Sequence, residues 1–167
     1  MTAADGIDVS ALVASLRKAG KTIAVAESLT GGLVMATLTE VPGVSEVLRG
    51  GAVVYATDTK ASELGVDGQL LAERGPVDAD VALAMANGVR QRWAADLGLA
   101  TTGVAGPDPQ AGHPVGEVYV AVADAAGGRV IRSPVPQTGT GNPPTRDQIR
   151  GAAVGAALGL LGDWIAR

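Results

Sequence analysis

Short apolar runs alternate with stretches of helical period along this chain, and that alternation restricts its fold more than any other feature. Val9 to Ala19 places apolar residues at Val9, Leu12, Val13 and Leu16, and Gly20 stops the run. Thr22 to Ala26 reads as a buried strand, and Leu33 to Leu38 as a helix ending near Pro42-Gly43. Ala52 to Tyr55 reads as a second strand and Thr57 to Leu64 as a short helix. Val77 to Leu97 reads as one long amphipathic helix, with Val77, Val81, Met85, Val89 and Trp93 on one stripe. Leu97 to Thr102 is a third strand, followed by a Gly/Pro-rich loop from Val104 to Pro114. Val118 to Ala123 and Val130 to Val135 form a hairpin through Ala125-Ala126-Gly127-Gly128, and a helix from Thr145 to Ala166 follows. Helices alternating with strands and then a hairpin predict an α/β sandwich with a mixed sheet, in one domain over residues 1–167. Gly151, Gly155 and Gly159 on the last helix predict close packing against the sheet or another helix, with a subunit interface as the alternative.

Composition narrows the chemistry. The chain has 167 residues, 47% of them apolar, enough for a substantial core. The absence of cysteine excludes disulfides, thiolate metal sites and a cysteine nucleophile. The single histidine, His113, excludes a multi-histidine zinc site and leaves a Ser-His-Asp triad dependent on one loop residue. That residue reads as an exposed spectator. A net charge of −4 argues against a nucleic-acid groove but allows a small anionic ligand held by local N–H groups. There is no signal-like N-terminus, and the longest apolar stretch, Ala152 to Leu161, is too short to span a bilayer. A soluble cytoplasmic protein is expected, with no metal and no cofactor.

Three segments carry chemical potential. Glu27-Ser28-Leu29-Thr30-Gly31-Gly32 joins a strand to a helix, so it offers a hydroxyl beside free N–H groups and the positive end of a helix dipole. Taken alone it reads equally well as a capped helix after a glycine turn. Tyr55 ends a strand and Lys60 falls in the first turn of the next helix, with Thr57 or Asp58 as its N-cap. A cation there opposes the helix dipole, and that same potential lowers a lysine pKa. On the residues alone, however, Lys60 reads as a solvated surface lysine. Thr102-Gly103-Val104-Ala105-Gly106-Pro107 also follows a strand, so its glycines could let backbone N–H groups approach an oxyanion or phosphate at the same crevice. Glu27 can orient Lys60 or cap a helix, and Arg49 can bind phosphate or pair with a surface acid. Neither a P-loop, a G-x-S-x-G elbow nor a dinucleotide fingerprint is present.

In their order and separation these segments, together with Arg49-Gly50-Gly51-Ala52-Val53-Val54-Tyr55-Ala56-Thr57-Asp58-Thr59-Lys60, resemble the CinA C-terminal domain family, which includes nicotinamide-nucleotide amidohydrolases. The resemblance spans about Val9 to Ile165. Two departures stand out: Leu29 occupies a position that is often cysteine, and Pro143-Pro144-Thr145 lacks the acidic residue that often precedes the arginine at Arg146.

The resemblance implies a three-layer α/β/α sandwich around a mixed five-stranded sheet with one antiparallel strand. It implies deamidation of nicotinamide mononucleotide to nicotinate mononucleotide and ammonia, with Ser28 as nucleophile and Lys60 as base, acting directly or through Tyr55. Glu27, Thr30, Gly31, Gly32, Arg49, Thr102, Gly103, Ala105 and Gly106 would bind substrate or oxyanion. The partner would be a small-molecule nucleotide, in a homodimer or higher homo-oligomer, with no nucleic acid and no membrane. A non-catalytic nucleotide-binding domain and a hydrolase of another small amide are the alternatives.

Overall fold

Side-chain size sorts itself strand by strand onto two faces. The computed structural model describes residues 6–139 and 141–167, which form a five-stranded sheet in the order β2-β1-β3-β4-β5. The strands are β1 (Ile23–Glu27), β2 (Leu48–Val53), β3 (Leu97–Gly103), β4 (Val118–Ala123) and β5 (Gly128–Arg132). β1 pairs parallel with β2 and β3, whereas β4 runs antiparallel to both β3 and β5. The sheet is therefore mixed, with β4 the one reversed strand.

Because side chains alternate along a strand, Ile23, Val25, Leu97, Leu99, Val118, Val120 and Val122 all face one way. They pack under α1 (Val9–Ala19), α2 (Leu33–Thr39) and the last helix, α6 (Arg146–Ile165). The opposite face presents Ala24, Ala26, Ala100, Ala121 and Ala123. These small residues let α5 (Ala79–Arg92) lie close to the sheet, flanked by α3 (Thr57–Leu64) and α4 (Gly68–Arg74). At Gly98 the approach is so tight that a Cβ would sit 1.9 Å from the Ala86 carbonyl oxygen. The three-layer arrangement follows from this size segregation.

Several boundaries differ from the sequence expectation. The second strand starts four residues earlier, through Arg49-Gly50-Gly51, and stops at Val53, so Tyr55 lies beyond it. Glycines argue against a strand in general, but a Cβ at Gly51 would stand 2.1 Å from the Val25 carbonyl oxygen, so the pairing needs glycine there. The expected Val77–Leu97 helix is shorter. Asp78 caps α5 by accepting from the Asp80 N–H, leaving Val77 buried ahead of it. The chain leaves α5 at Trp93 and turns at Ala94, whose φ is 49°. α4, capped by Asp67, had no counterpart in the sequence reading.

The N-cap of α3 is Ala56, with no side-chain cap bond, rather than Thr57 or Asp58. β5 closes at Arg132 instead of Val135, with the Ser133 N–H making one further bond, to the Val118 carbonyl at 2.8 Å. α6 begins with a capping box formed by Thr145 and Gln148, and it buries Ile149, Ala153, Val154, Ala157, Leu158 and Leu161. Gly151, Gly155 and Gly159 on this helix are half-buried. A Cβ at Gly151 would meet nothing within 4 Å, and one at Gly159 would meet only Ile7 Cδ1.

Candidate active site

The carboxyl ends of β1 and β3 are level, since Glu27 pairs with Thr101, and both open onto one crevice at the edge of the parallel strands. Ser28 continues the β1 ladder by one residue: its N–H donates to the Thr101 carbonyl at 3.1 Å, while its side chain lines the crevice. The turn after it is built tightly. The Gly31 N–H donates to the Ser28 carbonyl at 3.1 Å, and Gly31 and Gly32 adopt φ of 61° and 101°, conformations that favour glycine.

Glu27 is fully buried at the end of β1, and its carboxylate accepts from the backbone N–H groups of Gly32, Val34 and Met35 at 2.9 to 3.1 Å. It caps α2 at the positive end of that helix. Of the two roles open to it, capping α2 is the one it fills, and it makes no bond to Lys60. Thr30 is buried too, and its hydroxyl shares a 2.7 Å hydrogen bond with that of Thr101.

Lys60 enters from the α3 side. It shares the buried face of α3 with Leu64 and is the largest fully buried side chain in the protein's described residues. Its Nζ donates to the Val54 carbonyl at 2.7 Å, the Tyr55 carbonyl at 3.4 Å and the Ser28 hydroxyl at 3.2 Å. No carboxylate is among these partners. Burial lowers its pKa from the ordinary 10.5 to about 8.

This geometry has a chemical consequence. A neutral amine keeps two N–H donors, which the two carbonyls accept, and its lone pair is then left facing the Ser28 Oγ. The amine can take a proton from that hydroxyl directly, with no intervening group.

Tyr55 meets Lys60 only through its main chain. Its phenol, 61% of the residue being exposed, instead accepts from Arg146 Nη2 at 3.0 Å, and Arg146 Nη1 donates to the Gly106 carbonyl. Tyr55 and Arg146 thus form one wall of the crevice, while Pro76, Val77 and Thr102 line it on another side. The Thr102 hydroxyl donates to the Pro76 carbonyl and holds that segment in place.

Gly103, Ala105 and Gly106 also line the crevice. The two glycines serve the packing of the following loop: a Cβ at Gly103 would lie 2.6 Å from the Glu117 carbonyl oxygen, and one at Gly106 would lie 2.8 Å from Val115 Cγ1. Arg49 is not brought to the crevice. It sits near the start of β2, at the opposite end of the sheet, and donates to the Trp93 carbonyl at 3.1 Å. His113 was expected to be an exposed spectator, but it is partly buried, its Nδ1 3.2 Å from a Glu117 oxygen that also accepts from the Tyr119 hydroxyl.

The sequence reading missed Arg150. Its Nε donates to the Leu29 carbonyl and its Nη2 to the Thr30 carbonyl, both at 3.0 Å. The signal that could have found it was the spacing of Arg146 and Arg150, which places both arginines on one face of α6. A larger groove of about 560 Å³ runs between α1 and α6, but among the described residues no buried polar side chain reaches it.

Residues 8–165 match the sequence model of the CinA C-terminal domain. The chain belongs to the CinA C-terminal domain family. It is 52% identical over 140 residues to a CinA-like protein from Frankia casuarinae, covering 84% of this chain and 31% of that protein. A CinA-like protein from Gloeobacter violaceus is 46% identical over 153 residues, covering 91% of this chain and 35% of that protein. The chain therefore spans about a third of the length of these curated relatives.

Among solved structures, the competence/damage inducible protein CihA from Agrobacterium tumefaciens superposes with a TM-score of 0.85 at 33% identity, covering 96% of this chain and 97% of that one. A CinA superfamily protein from Escherichia coli superposes at 0.83 with 27% identity, covering 92% and 86%. Both share the open mixed sheet flanked by helices. In this CinA-family chain, the Ser28 and Lys60 contact falls where the two parallel crossovers meet.

Proposed function

We propose that this chain is an amidohydrolase that converts nicotinamide mononucleotide to nicotinate mononucleotide and ammonia, with Ser28 as the nucleophile. The observation that carries the reading is a fully buried lysine, free of any carboxylate, with its Nζ 3.2 Å from the Ser28 hydroxyl. A lysine near pKa 8 is poised to accept a proton close to neutral pH.

In the first step Ser28 Oγ attacks the carboxamide carbon and its proton passes to Lys60 Nζ. The oxyanion collapses, the C–N bond breaks, and the nitrogen leaves as ammonia after taking the proton back from Lys60. Water then attacks the acyl-serine ester and gives a proton to Lys60. The ester C–O bond breaks, Ser28 is reprotonated, and the carboxylate product departs.

Direct transfer between Lys60 and Ser28 is favoured over a route through the Tyr55 hydroxyl, which faces Arg146. Arg146 is the other cation among the described residues that line the crevice, and it supplies positive charge for a substrate phosphate. Thr102, Ala105 and Gly106 complete the substrate wall, while Glu27, Gly31 and Gly32 shape the turn. The mechanism uses no metal or redox cofactor, and its place of action is the cytoplasm, in a homodimer or larger assembly.

Incubating the purified chain with nicotinamide mononucleotide should release stoichiometric ammonia, and Ser28→Ala should abolish that release. A chain that releases no ammonia from this substrate removes the assignment, and release from a different small amide reassigns the substrate while keeping the chemistry.

A further inference from the structure

We infer that Arg150 is a positioning residue whose guanidinium fixes the peptide planes of the Ser28 turn, so that the Leu29 and Thr30 N–H groups serve as oxyanion donors. The inference rests on the proposed reading that Ser28 is acylated. Arg150 reaches from α6 to two successive carbonyls, those of Leu29 and Thr30, at 3.0 Å each. A trans peptide points its C=O and N–H in opposite directions. Gripping the Leu29 carbonyl therefore turns the Thr30 N–H away from α6. On the other side of the turn, the Ser28 carbonyl is held by the Gly31 N–H, which likewise orients the Leu29 N–H.

The neighbouring amides are already committed. Gly31 donates to Ser28, and Gly32 donates to Glu27. Among the described residues, the Leu29 and Thr30 N–H groups take no protein acceptor. Leu29 lines the crevice beside Ser28. The Arg150 ion pair does not account for its placement: Asp147 is 3.7 Å away and 91% exposed, a geometry worth little. Flipping the Leu29–Thr30 peptide would aim the Thr30 N–H at the guanidinium, so the cation penalises the orientation that would remove that donor.

The test uses the full chain with two readouts, ammonia release from nicotinamide mononucleotide and labelling of Ser28 by a fluorophosphonate followed by mass spectrometry. Arg150→Met should lower both kcat and the labelling rate by roughly 10- to 100-fold, somewhat less than deletion of an oxyanion donor itself. KM should stay within about threefold, because the substrate's ground state does not use the oxyanion donors. The ascending limb of the pH–rate profile should not move, since Lys60 is untouched. Arg150→Lys, which reaches one carbonyl at a time, should fall between the two.

Because the Arg150 side chain is 26% exposed, millimolar guanidinium should restore part of the lost rate to Arg150→Met. A folded variant labelled at the wild-type rate, or one with raised KM and intact kcat, overturns the inference. If Arg150→Met does not fold, Arg150→Lys decides, and wild-type kcat in that variant overturns it equally. A wild-type chain labelled at Ser28 but inert toward the nucleotide removes the substrate assignment alone, and the labelling arm then judges Arg150. A wild-type chain inert toward both overturns both.

Discussion

Glu27 and Lys60 are both fully buried charges, both at a strand-to-helix junction, and they are built in opposite ways. The Glu27 carboxylate sits at the start of α2 and accepts three backbone N–H bonds, so the helix dipole and the hydrogen bonds both favour its charge. Lys60 lies early in α3, where the same dipole disfavours a cation, and its partners are two carbonyls and a hydroxyl with no anion. Burying a charge costs several kcal/mol unless it is compensated. Glu27 is compensated and serves structure. Lys60 is compensated only in part, and that shortfall makes its proton available for chemistry.

The contrast can be broken most severely at Lys60. Lys60→Arg keeps the charge but cannot release a proton, so kcat should fall by about 10³-fold or more, nearly as far as in Lys60→Ala. Steady-state ammonia release measures it, and an active Lys60→Arg variant would reduce Lys60 to a binding residue. In the wild type the ascending limb of the pH–rate profile should report a group titrating near 8.

The next effect is on stability. Below pH 8 Lys60 is protonated in both folded and unfolded chains, and the cost of burying it is fully present. Between about 8 and 10.5 the folded chain loses the proton while the unfolded chain keeps it, so stability rises with pH through that window. Relative to Lys60→Met, the wild type should gain roughly 3 kcal/mol between pH 7 and pH 10.5, by the free energy that corresponds to such a pKa difference. Urea melts of both proteins across that range measure it. A flat or falling difference would contradict a desolvated lysine.

Glu27→Gln tests the other member. The amide keeps the shape of the carboxylate but has no charge and a single acceptor oxygen, so one or two N–H groups of the α2 start lose their partner. A loss of about 2 to 3 kcal/mol is expected, with an unshifted ascending pH limb because Glu27 does not touch Lys60. A moved limb would show that the two charges communicate after all.

The smallest expected effect is that of chelation. Prolonged EDTA treatment should leave activity unchanged, since neither charge is assigned to a metal. Loss of activity restored by zinc or magnesium would refute the metal-free scheme.

The strand and helix alternation was legible because apolar period follows directly from burial of one or two faces, as in β4, where expectation and structure share the same limits. β2 was displaced because Gly51 is needed for close approach to β1 and Met35, and Gly50 lies against Trp93, tertiary demands that propensity does not carry. At the site, the Ser28 turn was visible as a strand-to-helix junction. The burial of Lys60 was not, because α3 buries just Lys60 and Leu64, and a lysine on a helix's apolar side is invisible to patterning. Arg49 was misplaced for a related reason: proximity to a motif in sequence says nothing about which end of a strand a side chain occupies. For Arg150 the spacing from Arg146 was the one hint in the sequence, and its carbonyl partners lie about 120 residues away along the chain.

That last separation bears on how the protein comes into being. The turn that presents Ser28 is synthesised some 120 residues ahead of the guanidinium that clasps it. A nascent chain can therefore lay down β1, α2 and the Glu27 cap and still carry an unclasped turn. The hydroxyl is made before its setting, which is complete only when α6 docks against the sheet.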